Sequence, residues 1–341
     1  MATYQDIKGL KVKFLSADPS NLSEGDVWYN STSDTLEAAV FGSAAWASGG
    51  ILGTARTING AGIQTATLGM GGYLNTAPSG NYQTNAVEEY DGSSWTAQTA
   101  MTTEVHIQST TGTVTAALSA GGNIRPGSSP ITGASEEYNG STWTAGGALT
   151  TPRKGLSGVG TLTATASFGG TYPPGVFTGV TEEYNGSSWG AGGTMTTGRA
   201  ETTSQGMGIQ TSALGAGGKS SAPVATNVVE EYDGTSWTAS PALPRNMVGG
   251  CAGGTTASAW AAGGTTTAGS GPTVTNSTVL WNGTAWSTSP ATLGTAKYAL
   301  GGSGTGAAGL AFGGNNATNV KQASTDEYSE AAVEAQTITT S

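Results

Sequence analysis

Six Gly-Gly pairs recur along the chain at nearly constant spacing. They lie at Gly71-Gly72, Gly121-Gly122, Gly169-Gly170, Gly217-Gly218, Gly263-Gly264 and Gly313-Gly314, separated by 50, 48, 48, 46 and 50 residues. A second marker keeps the same period. EEYDGSSW occupies 88–95, EEYNGSTW 136–143, EEYNGSSW 182–189 and EEYDGTSW 230–237, with a degenerate copy, VLWNGTAW, at 279–286. The tryptophans of this series are Trp46, Trp95, Trp143, Trp189, Trp237 and Trp286, spaced 49, 48, 46, 48 and 49 residues apart. A chain with such a period must fold as an array of equal units that bury their faces against one another.

Each unit reads as four short strands. The first follows a basic residue, as from Arg153 to Val159, and the second runs into the Gly pair, as from Thr163 to Phe168. The third carries Glu-Glu-Tyr and the fourth starts at Trp. Asn-Gly or Asp-Gly between the last two is a strong hairpin signal. A two-residue type I′ turn at Asp91-Gly92 would set Tyr90 opposite Ser93 and Glu88 opposite Trp95. Glu88, Tyr90 and Trp95 then share one face, with Glu89 on the other. Four strands per unit of about 48 residues, six times over, predict an all-β, six-bladed β-propeller. The six tryptophans are expected to fill the wedges between blades, and the Gly pairs to end the second strands where backbones crowd.

The composition agrees with this reading. With 56 Gly and 12 Pro in 341 residues the chain looks of low complexity, yet charged residues are only 10% and there are nine Trp and eleven Tyr. Disorder by composition requires high charge as well as low hydrophobicity. Gly does not recur every third residue, so a collagen helix is excluded. A formal charge of −10 and a pI near 4.5 argue against nucleic acid as a partner. A single cysteine, Cys251, excludes an intrachain disulfide and a thiolate zinc site, and one histidine, His106, excludes most His-based metal sites. No cofactor is expected. No apolar run reaches 18 residues, so membrane insertion is not expected, and the start MATYQDIKGLKVKF lacks the apolar core of a signal peptide.

The Gly-Gly pair, a Tyr about 13–19 residues on and a Trp five after that Tyr resemble a kelch repeat. The basic residue that the family carries before its first strand is matched by Arg56, Arg153, Arg199 and Arg245, while Val105 stands there in the second repeat. The resemblance covers residues 36–330 and implies fold, not function. Residues 1–35 stand outside the repeat. Within them GDVWYNS, 25–31, resembles a short segment of bacteriophage tail-fibre and virion proteins that precedes a repetitive distal domain. The Gly-, Thr- and Ala-rich repeats likewise resemble the kelch-like domains of marine phage structural proteins. That resemblance implies a virion-attachment or oligomerisation role for 1–35, with Val27, Trp28 and Tyr29 as candidate contacts. The plainer alternative is an ordinary strand capping the propeller. Residues 331–341 are either a tail or a closing strand. The unmatched Trp46 favours completion of the sixth blade by the segment around Leu36–Trp46, the alternative being Ala331–Thr340.

The chemistry expected is architectural. A copper-radical oxidase would need more than the single His106. An arginine-triad glycosidase would need unique residues, whereas Arg56, Arg153, Arg199 and Arg245 repeat; each is expected to pair with a Glu of a neighbouring blade. Four copies of one Glu-Glu pair are no paired-carboxylate active site, although calcium binding around the ring is a weaker alternative. His106 and Cys251 read as packed residues, and the Asn-Gly-Ser/Thr sequons as turn chemistry. The loops joining second and third strands differ from repeat to repeat, and variable loops on a fixed scaffold carry recognition. Tyr73, Tyr82, Arg125, Tyr172, Phe177 and Lys219 are the candidate contacts for a host-surface glycan or protein. The whole predicts a non-enzymatic phage virion protein, assembled in the host cytoplasm and bound to other virion proteins, with a homo-oligomer as an open alternative to a monomer. The leading role is a tail-fibre or other tail-associated adsorption protein. The alternatives are a head decoration or capsid fibre protein, and a cellular carbohydrate-binding or glycan-processing propeller.

Overall fold

The computed structural model describes residues 12–23, 25–74, 82–124, 131–203, 206–221, 224–268, 273–331 and 333–338. No helix occurs among them. The chain divides into two compact units, one of Met1–Ala45 with Glu330–Ser341 and one of Trp46–Ser329.

The first unit is a four-stranded sheet in the order Lys13–Leu15, Val27–Asn30, Thr35–Phe41, Val333–Thr337. The first pair is parallel and the other two antiparallel. The segment 331–340, one candidate for closing the repeat array, thus contributes its strand to this sheet instead. Residues 36–41, which the sequence assigned to the repeat region, pair here as well.

The second unit holds six four-stranded sheets among the described residues. The third is representative: Ser157–Thr161, Ala164–Phe168, Thr181–Tyr184 and Trp189–Ala191, paired antiparallel in sequence order. The fourth strand of the sixth sheet is Ala45–Ser48, placed beside Thr325–Ser329, so Trp46 takes the position its spacing predicted. First strands adjoin in succession. Thr57–Ile63 lies beside Ser109–Thr113, then follow Ser157–Thr161, Met207–Ile209, Cys251–Gly254 and Gly301–Gly304, which adjoins Thr57–Ile63 again.

The Gly pairs stitch this succession together. The second glycine of each pair donates its N–H to a carbonyl at the start of the next sheet: Gly72 to Val105, Gly122 to Arg153, Gly170 to Arg199, Gly218 to Met247 and Gly264 to Lys297, at 2.6–2.8 Å. Gly314 of the sixth sheet donates to Arg56 of the first at 2.9 Å. Both members of every pair have φ > 0, and a Cβ on Gly72 would stand 1.9 Å from Thr57 O. Only glycine permits this backbone and this approach.

The ion pairs differ from the expectation. Arg153 Nη2 meets Glu182 Oε1 at 3.0 Å and Arg199 Nη2 meets Glu230 Oε1 at 3.0 Å, each pair within one sheet and not across to a neighbour. Arg56–Glu88 and Lys297–Asp326 follow the same rule. All four cations are fully buried. The guanidinium also reaches the strand ends: Arg153 Nη1 donates to Gly169 O and Val180 O, both at 2.7 Å. Burial pulls the pKa of Arg56, Arg153 and Arg199 down, and the paired glutamates oppose that shift. In the fifth sheet Met247 occupies the backbone position of the cation. Arg245, two residues earlier, reaches the equivalent carbonyls of Gly263 and Ser277 at 2.9 and 3.1 Å. That sheet carries Val279-Leu280 where others carry Glu-Glu, and burial holds Arg245 down to about 10.

The contact between sheets belongs to the second glutamate. Tyr232 Oη donates to Glu183 Oε1 of the preceding sheet at 2.7 Å, and Tyr184 to Glu137 and Tyr90 to Glu327 do likewise. The tryptophans repeat the pattern. Trp95, Trp189, Trp237 and Trp46 donate Nε1–H to Thr325, Ser135, Thr181 and Thr278 of the preceding sheet, at 2.9–3.1 Å. Trp143 donates to Thr99 O at 3.0 Å, while Trp286 packs on Trp281, ring centroids 5.4 Å apart.

The Asx-Gly hairpins also differ in register. Tyr90 pairs with Trp95 and Glu88 with Ala97, so the loop is the four residues Asp91–Ser94. Asp91 Oδ1 accepts the N–H groups of Ser93 and Ser94, both at 2.8 Å, and only Gly92 has φ > 0. The carboxylate replaces a backbone acceptor, as Asx turns do, so the I′ geometry is unnecessary. The shift is two residues, one full strand period, and the side chains keep their faces.

Candidate functional site

A cavity of about 630 Å³ opens at the end of the second unit where the first strands begin. Its wall is built by one segment, repeated. Two residues after each cation position, or after its Val or Met substitute, stand Ile107, Gly155, Glu201, Gly249 and Ala299, and all five line the cavity. Each has a left-handed backbone, with φ of 52°, 67°, 51°, 60° and 51°. Each of the last four donates its N–H to the one before: Gly155 to Ile107 O at 2.8 Å, Glu201 to Gly155 O at 2.8 Å, Gly249 to Glu201 O at 2.9 Å and Ala299 to Gly249 O at 2.7 Å. The result is an arc of peptide groups around the cavity.

The first sheet contributes no member. Arg56-Thr57-Ile58 stands where the third repeat has Arg153-Lys154-Gly155-Leu156, one residue more. Ile58, like Leu156, is buried in the wedge between sheets, 2% exposed. The arc therefore begins at Ile107 and ends at Ala299, with Thr57 and Asn59 lining the cavity between them.

Two charged residues are in the lining, Glu201 and Lys219, and they pair with each other at 2.6 Å. The rest mixes apolar side chains, among them Ile107, Leu156 and Val248, with hydroxyls and amides. Tyr298 Oη donates to Asn319 Oδ1 at 3.1 Å on the sixth-sheet side. Burial raises the pKa of Tyr298, so it acts as a neutral donor. At the far end of the first strands a smaller cavity of about 100 Å³ is ringed by Gly62, Gly112, Gly160, Gly208, Gly254 and Gly304, all with φ above 100°.

Of the described loop residues singled out from sequence, only Lys219 lines the main cavity. Tyr73 and Tyr82 stack on each other, ring centroids 5.4 Å apart, with His106 5.1 Å and Lys321 Nζ 5.4 Å from the Tyr73 ring. Burial first, with Lys154 and Lys321 adding to it, pulls His106 down to about 4. Tyr172 and Phe177 sit on a separate two-stranded hairpin, Thr171–Tyr172 with Val176–Phe177. Arg125 lies outside the described residues. In the first unit Trp28 is buried, its Nε1 donating to Asp18 Oδ1 at 3.0 Å, while Val27 and Tyr29 are half-buried. Cys251 is buried, and burial pushes its thiol up to about 12. Sequence reasoning missed the arc and the glycine ring. Their signal was there: a fixed offset from the cation position, and a glycine at 62, 112, 160, 208, 254 and 304.

No protein-family model matches the chain, and no curated protein matches it. Among solved structures, one titled "Structure of YjhT" superposes with a TM-score of 0.67 at 14% identity, covering 82% of this chain and 97% of that one. The fold is a β-propeller. The four-stranded sheets take the place of propeller blades, and the cavity lies at the end where their first strands begin. The variable loops after the Gly pairs contribute Lys219, Thr265, Thr267 and Thr318 to that cavity.

Proposed function

We propose that the chain is a non-enzymatic structural protein of a bacteriophage particle. In this reading the second unit is a six-bladed kelch-type propeller, presented for adsorption to the host surface as part of a tail fibre or tail-associated assembly. The first unit carries the attachment to other virion proteins.

The observation that carries the non-enzymatic reading is how the repeated ionisable groups are used. The first glutamate of the pair bonds a buried cation of its own blade, and the second accepts the tyrosine of the next. Groups spent on holding blades together are not free for acid–base work. The attachment reading is supported by the organisation of the chain. The GDVWYNS segment forms a strand of a separate unit, ahead of the repeats, as its resemblance to virion proteins implies.

Mass spectrometry of purified particles of the phage whose genome encodes the chain tests this. The protein is expected among the virion components, and its absence would overturn the assignment. Copies per particle separate a tail location, with a few, from head decoration, with hundreds. The hydroxyl groups in the cavity favour a cellular carbohydrate-binding propeller as the second reading, which a gene setting among carbohydrate-metabolism genes would support.

A further inference from the structure

We propose that the main cavity is a binding site for one neutral sugar residue, seated over the first blade where the peptide arc is open. The inference concerns the cavity alone and holds wherever the chain acts.

Three features of the site lead there. Its size suits a small polar ligand, since ligand pockets run from about 300 to 1,000 Å³. Its charge is balanced: among the described residues the ionised groups in the lining, Glu201 and Lys219, are committed to each other. An anionic or cationic ligand would have to break that pair to gain a partner, whereas a neutral one need not. Its polar groups include hydroxyls and amides, with Thr57 and the hydrogen-bonded Tyr298–Asn319 pair on the side of the gap. Such groups bond sugar hydroxyls in both directions, as donor and as acceptor.

The arc supplies direction. Its N–H end is Ile107 and its C=O end is Ala299, and the missing residue of the first repeat separates them. Within the arc, the Ile107 N–H and the Ala299 C=O are the two groups that no other member of the arc meets. Ile107, Glu201 and Ala299 hold left-handed backbones that non-glycine residues adopt at a cost, and for a β-branched residue such as Ile107 this is unusual. Strain of that kind gathers where a ligand is held. A sugar with vicinal hydroxyls spans the gap by accepting from Ile107 N–H and donating to Ala299 O.

The test uses the full chain and titrates methyl glycosides of glucose, galactose, mannose and N-acetylglucosamine by calorimetry. Glucuronate and N-acetylneuraminate serve as charged comparators. At least one neutral glycoside is expected to bind with a dissociation constant on the order of 1 mM. The Ala317→Trp variant, at an exposed position on the lip, should weaken it at least about tenfold with an unchanged melting temperature. The Ile107 amide should move in the ¹⁵N spectrum on binding. No binding by any neutral glycoside, tighter binding of either acid, full binding by the variant, or a static Ile107 amide would each overturn the proposal. None of these results bears on whether the protein is found in virions.

Discussion

Tyr232 reaches across from its own blade to donate its hydroxyl proton to Glu183 of the blade before, at 2.7 Å. The same hydroxyl accepts the N–H of Gly193 at 3.2 Å. Burial, then Glu183, pushes the Tyr232 pKa up to about 12, so the phenol stays protonated and the bond stays charge-assisted. Tyr232→Phe removes both contacts and leaves the ring. A loss of about 2 kcal/mol is expected from the urea midpoint at constant slope. A loss below a few tenths would deny the clamp its role.

The Arg199–Glu230 pair is expected to show strong coupling. Arg199→Met leaves Glu230 buried without its cation and should cost about 3–5 kcal/mol. Glu230→Gln keeps the acceptor oxygen toward Thr196 N–H and should cost less. In a double-mutant cycle the two losses should fall short of additivity by more than about 1 kcal/mol. Simple additivity would mean that the pair contributes nothing beyond its separate members.

Two glycine positions separate crowding from backbone preference. Gly208 has φ of 124° and a Cβ there would stand 2.1 Å from Ser212 O, whereas Gly175, φ 110°, has nothing within 4 Å of its Cβ position. Gly175→Ala should cost about 1 kcal/mol, and Gly208→Ala distinctly more. Equal losses in thermal unfolding would show that the Ser212 carbonyl gives way.

Ala299→Gly should stabilise the chain by about 1 kcal/mol, because glycine takes the left-handed conformation at φ 51° without the Cβ penalty. A lower melting temperature would show that Ala299 is held by packing that outweighs its backbone.

The single histidine gives a clean pH dependence. His106 is held down to about 4 in the folded chain, below the ordinary 6.5. The unfolded chain binds the proton first, so the contribution is complete above about pH 7 and is lost as pH falls from 6.5 toward 4. The slope in that window approaches about 1.4 kcal/mol per pH unit at most. His106→Phe should flatten it in denaturant titrations at pH 7.5, 6 and 5. An unchanged slope would place the titrating group elsewhere.

The sequence by itself determined the period, the four strands per unit, the positions of Trp46 through Trp286 and the need for glycine at each pair. These are local matters: alternation, turn residues and size are written in the residues that carry them. It did not determine which copy of a partner each side chain meets. Arg153 could have met Glu182 or the glutamate of any neighbour, because a repeat looks the same after every translation along the chain. Only the tertiary structure assigned the first glutamate to its own blade and the second to the next. It also decided the hairpin register, where the Asp91 side chain does the work of a backbone acceptor. Left-handed Ile107, Glu201 and Ala299 share a fixed offset from the cation position, but their residue types carry no sign of φ > 0, which goes with the hydrogen bonds that link them. The cavity itself was therefore not legible in sequence beyond that repeated offset. It is made from one short contribution per blade, separated by almost fifty residues each, and it exists only once the blades stand side by side.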